Sequence, residues 1–175
     1  DAYLSGAGAS ALGLPNDLTV RHFRTDNLRL LPAADTTYVY DERREPLAWV
    51  SLGFTSGLQD HVTILEGAFP ADDPDRDAPV GVLVSEELAL KLGLQVGETY
   101  TTFARYTLEG REVSAEIPVR ITGVWRPTRP EEAFWFSDPA AFKQVLFVPE
   151  RAFVESVSPA LENEVYVAVW YLVMD

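Results

Sequence analysis

Val80-Gly81-Val82-Leu83-Val84-Ser85-Glu86-Glu87-Leu88-Ala89-Leu90-Lys91-Leu92-Gly93 is the stretch on which the reading of the fold turns. Val80 to Val84 is an unbroken apolar run, as expected of a strand buried on both faces. Ser85 then offers a side-chain oxygen to cap a helix. Glu86 and Glu87 fall in the first turn, where the helix dipole favours anions, and Glu87 stands four residues before Lys91. Gly93 supplies the stop, so the helix is only about two turns long. A buried strand running straight into a short helix, in a chain otherwise made of strand patterns, sets the class as α+β, mostly β with a few short helices.

Beyond Gly93 the turn 94–98 leads into a strand over Thr99 to Leu108, and Glu109-Gly110 returns the chain as a second strand from Glu112 to Trp125. In the return strand Ile117, Val119 and Ile121 share one face, while Glu116, Arg120 and Thr122 share the other. Pro118 implies an edge position or a bulge. Further on, Asp138-Pro139 suits the start of a short helix, Val145 to Val148 a strand, and Pro149 to Val157 a helix opened by its proline. Val165 to Val173 is apolar on both faces and reads as an interior strand or one that awaits a neighbour. Before Val80, strands are expected at Leu18 onward, Leu28 to Leu31, Thr36 to Tyr40, Pro46 to Phe54 and His61 to Leu65. The glycine-rich residues 1–15 read as a lead-in.

The chain has 175 residues, with 47% hydrophobic and 11% aromatic content. That suffices for a core burying roughly 70% of the surface the unfolded chain exposes. Basic residues number 14 against 27 acidic ones, a formal charge of -13. Binding to nucleic acid rests on a basic patch whose counterion release supplies affinity. Here Arg43-Arg44 and the pair Arg126 and Arg129 are isolated and have acids close by, so neither nucleic acid nor an anionic lipid surface is expected as a partner. The absence of cysteine excludes thiol catalysis, disulfides, thiolate zinc sites and iron-sulfur clusters. The first residue is Asp1 and the sole methionine is Met174, as expected of a processed or excised chain. The longest apolar run, Val165 to Met174, has ten residues, whereas a membrane helix needs about 20. The piece is therefore expected to be soluble.

Candidates for chemistry are few. His22 and His61 are the only histidines, lie 39 positions apart and show no metal-ligand spacing, so structural or surface roles are expected. Residues 72–77 alternate acids, but counting from Asp73 places Ala78 where a calcium loop needs glycine and Val84 where it needs glutamate. A solvated acidic loop is the reading. There is no nucleophile elbow, phosphate loop or dinucleotide fingerprint, no carboxylate pair is singled out, and no cofactor, metal or catalytic residue is assigned. The unusual feature is Phe134-Trp135-Phe136, close to Trp125. Three adjacent aromatics on a strand cannot all face one core, so at least one is expected to be exposed, or covered by another lobe or a partner. Packing between lobes is one reading, and the other makes Trp125, Phe134, Trp135 and Phe136 the candidate surface for a partner or ligand.

Three separated stretches carry a resemblance. Asp60 to Pro70 contains Leu65-Glu66-Gly67-Ala68-Phe69-Pro70, Val82 to Gly97 contains Ser85-Glu86 and then Leu92-Gly93-Leu94-Gln95-Val96-Gly97, and Val119 to Val124 ends in Gly123-Val124. In order and spacing these resemble the extracytoplasmic domain of FtsX-like ABC transporter permeases, the MacB-like periplasmic core domains in particular, over about Leu58 to Val148. That family shows a leucine-x-glycine-x-x-proline turn, a serine-glutamate helix closed by leucine-glycine-leucine-x-x-glycine, and a strand ending in glycine-valine. The acidic stretch 72–79 and the aromatic triplet depart from the pattern.

The resemblance implies a non-catalytic domain of a cell membrane protein, on the extracytoplasmic side. It would handle substrate or transmit ATPase-driven motion to an outer partner. The implied partners are a cognate ABC ATPase, reached through the membrane part of the full chain, and a second permease copy or an extracytoplasmic protein. Two lobes are implied, a porter-like one from 16–71 with 149–175 and a smaller β-rich one from 79–148. The acidic linker 72–78 joins them, with Asp72, Asp73, Pro74 and Pro79 as hinge residues. The rival readings are a free-standing sugar- or peptide-binding module that stacks ligand on Trp125 and Trp135, and a hydrolase using two carboxylates.

Overall fold

The computed structural model describes residues 16–33, 45–72, 78–136, 138–163 and 166–174. The expected lead-in 1–15, the expected strand Thr36 to Tyr40 and most of the acidic linker, including Asp73 and Pro74, lie outside them. The run that begins at Val80 is strand β5 (Val80–Ser85), followed without a break by helix α1 (Glu86–Leu92). Ser85 Oγ accepts from the Leu88 N–H at 3.2 Å and donates to the Lys143 carbonyl at 2.7 Å, so the cap also ties the helix to a distant loop. Gly93 ends the helix in the left-handed conformation, φ 70°.

The remaining strands are β1 (Asn16–Arg24), β2 (Leu28–Pro32), β3 (Ala48–Thr55), β4 (Val62–Gly67), β6 (Thr99–Leu108), β7 (Arg111–Pro127), β8 (Val145–Phe147) and β9 (Val167–Met174). β3 and β7 organise them. β1 and β2 lie end to end along one edge of β3, and β8 runs parallel along the other. β6 and β4 lie end to end along one edge of β7, and β5 runs parallel along the other. β5 meets β8 at Leu83 and Phe147, and β2 pairs β6 from Arg29 to Pro32. The path β3, β2, β6, β7, β5, β8 therefore returns to β3 as a closed ring of six strands. Where β1 gives way to β2, Thr25 keeps the ladder intact: its N–H donates to the Leu52 carbonyl and its Oγ1 accepts from the Leu52 N–H.

Alternation along the strands separates two cores. Val82, Val84, Leu146, Leu52, Ile117, Val119 and Ile121 belong to one, with the helical segment 150–160 contributing Phe153 and Val157. Leu83, Val145, Phe147, Trp125 and Val20 belong to the other. β5 and β8 are thus buried on both faces, which explains their unbroken apolar runs. Pro118 sits opposite Thr101, one residue before β5 joins β7 at Val119, where among the described residues no strand lies on that edge of β7 to receive an N–H.

Of the two expectations for Val165 to Val173, the interior strand is not what forms: among the described residues β9 pairs only with β1, at the end of the sheet, as a strand that awaits a neighbour would. It is apolar on both faces because Val169 and Tyr171 pack on the second core while Trp170 meets Phe23 edge-on at 4.8 Å. Burial of faces does not require pairing at both edges. The segments expected to form separate lobes also share one hydrogen-bonded sheet, since β2 pairs β6 and β3 pairs β8.

The three resembling stretches meet where β4, β5 and β7 join. Gly67, at φ 75°, pairs with Gly123 across β4 and β7, and the Ala68 N–H donates to the Thr122 carbonyl. The Gly97 N–H donates to the Ile121 carbonyl at 2.8 Å. A Cβ at Gly123 would stand 2.8 Å from the Ala68 oxygen, 3.0 Å from Leu83 Cδ2 and 3.1 Å from the Glu66 oxygen, and one at Gly81 would press on Pro70 and Thr122. The backbones approach too closely for any side chain. Gly123→Ala should therefore destabilise by about 1–3 kcal/mol in urea unfolding. Leu90→Gln, on the outer face of α1 where Leu90 is 78% exposed, should change stability by less than about 0.5 kcal/mol.

Candidate functional site

The aromatic triplet is not a strand. Ala133–Trp135 forms a 3-10 turn and Pro139–Phe142 a second, its first turn capped by Asp138, which accepts from the Ala140 N–H at 2.8 Å. Successive residues of a 3-10 turn diverge by roughly 120° rather than the 180° of a strand. Phe134 and Trp135 can therefore both point inward, at 2% and 1% exposure, beside Trp125 at 1%. Phe136, at φ 60°, turns outward to 72% exposure and leans on the Tyr171 ring at 5.0 Å. The expectation that one aromatic of the three is exposed holds for Phe136. The stacking platform of the rival binding-module reading does not form, because both of its indoles are core.

The cluster is ordered by ring geometry and two polar clamps. Trp125 and Trp135 stack at 5.7 Å and 10°, Phe134 meets Trp135 edge-on at 5.1 Å, and Phe147 tilts against Trp125 at 5.3 Å. Trp135 Nε1–H donates to the Arg129 carbonyl at 3.2 Å, and the Tyr171 hydroxyl donates to the Phe134 carbonyl. Burial pushes the Tyr171 hydroxyl up to about 12, so it stays a donor. His61 stacks on Phe134 at 3.7 Å and places Nδ1 2.7 Å from Glu132 Oε2, while Glu132 also pairs with Arg129. This latch fastens the loop 128–136 to the start of β4.

His22 borders the same cluster, on β1. It is buried, with Nδ1 2.9 Å from Thr55 Oγ1 and its ring edge-on to Phe142 at 5.0 Å. Burial first, and the Arg24 charge second, lower its pKa from 6.5 to about 4, against a smaller raising effect of the Phe54 backbone. Both histidines thus serve packing. Among the described residues no three His, Asp or Glu side chains gather as metal ligands.

Two clefts border this core. The larger, about 400 Å³, lies between the end of β3, the turn after it, Phe69-Pro70 and the start of the segment 150–160. Asp72, one of the sequence-derived hinge residues, is on its rim together with Glu150, which Arg21 grips through both nitrogens at 2.9 and 2.8 Å. Pro79 is exposed at the far end of the linker. The smaller cleft, about 250 Å³, lies where the start of α1 faces Trp125, Arg126 and Lys143. Sequence reading marked Trp125 but not its neighbours, because the hairpin, helix and loop that meet there are far apart along the chain.

No protein-family model and no curated protein matches the chain. Among solved structures it is similar to a domain of a provisionally named permease from Porphyromonas gingivalis, with 14% identity and a TM-score of 0.46, over 96% of this chain and 66% of that one. The chain spans just under two thirds of that structure, and a likeness of this size assigns neither family nor activity. No helix among the described residues is long and apolar enough to cross a membrane.

The buried His22 makes stability depend on pH. The fold holds it neutral down to about 4, whereas the unfolded chain protonates it near 6.5. Across that window the unfolded state binds more protons, so this contribution is complete above about pH 6.5 and is lost as pH falls toward 4. Between pH 7 and pH 5 the protein should lose about 2 kcal/mol through this residue. Urea melts of His22→Leu against the parent should show a correspondingly shallower decline.

Proposed function

We propose that this chain is the extracytoplasmic domain of an ABC transporter permease of the FtsX/MacB type, and that it does no chemistry itself. The observation that carries the reading is the convergence of the three resembling stretches. The Leu65 to Pro70 turn, the Ser85 helix with its Gly93 to Gly97 close, and the Gly123-Val124 strand end are remote in sequence, yet they build one junction, in which Gly67 and Gly123 make a contact that only glycine permits and the Gly97 N–H reaches the Ile121 carbonyl. A motif set of this kind specifies architecture rather than catalysis, which suits a part that handles substrate or relays force. A closed ring of strands suits transmission, because displacement at one end is passed on by a body that resists shear.

In this reading the domain belongs to a cell membrane protein. A cognate ATPase on the other side supplies the motion through the membrane part, and a second permease copy or an outer protein receives it. A charge of -13 keeps the domain off an anionic lipid surface. The test is topological. In the full-length protein, with Leu90→Cys as its sole cysteine, the protein should fractionate with membranes and react with a membrane-impermeant maleimide in intact cells. Recovery in the soluble fraction, or labelling only after lysis, would overturn the proposal.

A further inference from the structure

Two strands, β4 and β9, pair along only one edge among the described residues. A bare edge offers its N–H and C=O groups to any extended chain, and native proteins blunt such edges with charge, proline, bulges or brevity. β4 is blunted: it has six residues, a register break between Ile64 and Glu66, and Glu66 exposed on it. β9 is not. Its eight residues, Val167 to Met174, hold no charge and no proline, and its register with β1 runs unbroken from Val167 to Val173.

The strand can be reached. Ala168 is exposed, and Val167, Val169 and Trp170 are half-buried. On one face of β9 the apolar surface continues through Phe136, 72% exposed and leaning on Tyr171. On the other, Trp170 stands edge-on to Phe23. A strand entering beside β9 therefore meets apolar neighbours on both of its faces.

Charge at the two ends selects the entrant. Glu162 and Glu164 precede the strand and Asp175 follows it, while Asp17 falls in the β1 bulge beside Met174. Arg21 and Arg24 stand on β1, at the paired edge, opposite Trp170 and Val167, and Arg21 is held by Glu150. A second copy of this chain would bring the same acidic ends and a further charge of -13, so pairing of β9 with itself is opposed.

We propose that the open edge of β9 seats an extended segment of another protein, which joins the sheet as a further strand. The segment is uncharged over about six to eight residues, apolar on both faces and basic at its ends. Backbone hydrogen bonds hold it, its alternate side chains set the fit, and its basic ends meet the acids that flank β9. This rests on the sheet edge and does not depend on the transporter reading.

The probe is the peptide acetyl-Lys-Lys-Val-Thr-Val-Phe-Val-Thr-Val-Lys-Lys-amide, titrated into the 175-residue chain while amide exchange is followed by nitrogen-proton NMR. It should bind saturably below about 1 mM and slow exchange in β9 while leaving β4 unchanged. Replacing the central phenylalanine by proline, or the lysines by glutamates, should weaken binding at least about tenfold, and added salt should weaken the parent peptide. Ala168→Lys, which puts a guard charge on the exposed edge, should weaken it to a similar degree. No slowing in β9 at millimolar peptide, or equal slowing by the proline or glutamate versions, would overturn the proposal. Amides of β9 already protected along both edges in the free monomer would show that the chain covers the edge itself and overturn it too. Self-association that protects β9 would assign the edge to a second copy, with the same consequence.

Discussion

β2 is hydrogen-bonded along both of its edges, to β3 on one side and β6 on the other, and the rest of the architecture depends on that double pairing. Without it the sheet would be open, and Leu28, Leu30, Val50 and Ile117 would face solvent across the gap rather than one another. Closure removes two edges at once and converts the alternating faces of the strands into an inside and an outside. Thr25 makes this possible with a side chain, since its hydroxyl accepts the Leu52 N–H where the backbone turns from β1 into β2. The outside then receives the aromatic cluster, and the latch of His61, Glu132 and Arg129 fixes the loop that delivers it.

Much of this was legible in the chain because local rules decide it. The Ser85 cap, the Gly93 stop, the Thr99 to Leu108 strand and the two faces of its return partner follow from capping chemistry and period-two patterning, and the structure has them where the residues say. Long-range facts were not legible. Nothing in Leu28 to Leu31 announces that it joins two distant strands, and nothing in Val165 to Val173 distinguishes an end strand from an interior one. The aromatic triplet departs from strand alternation for a definite reason: Ala133–Trp135 is a 3-10 turn, so Phe134 and Trp135 both reach the core and Phe136 alone of the three turns outward.

The glycine junction of β4, β5 and β7 is a matter of backbone contact, and it favours a body that moves as one piece. A ring in which the strands before and after the acidic linker are joined at two seams, β2–β6 and β3–β8, also changes how a lever could work. Opening the chain at the acidic linker would have to break the β2–β6 or β3–β8 pairing, so displacement is better carried by the whole domain against its surroundings.

Native-state hydrogen exchange of the β2 amides, compared with those of β5 and β7 across a urea series, tests ring closure most directly. If the ring is one cooperative unit, the three sets converge on the same free energy and the same urea dependence, because β2 exchanges only when everything unfolds. Exchange of β2 through a smaller opening, at lower free energy while β5 and β7 stay protected, would contradict it and show that the sheet works as two separable parts.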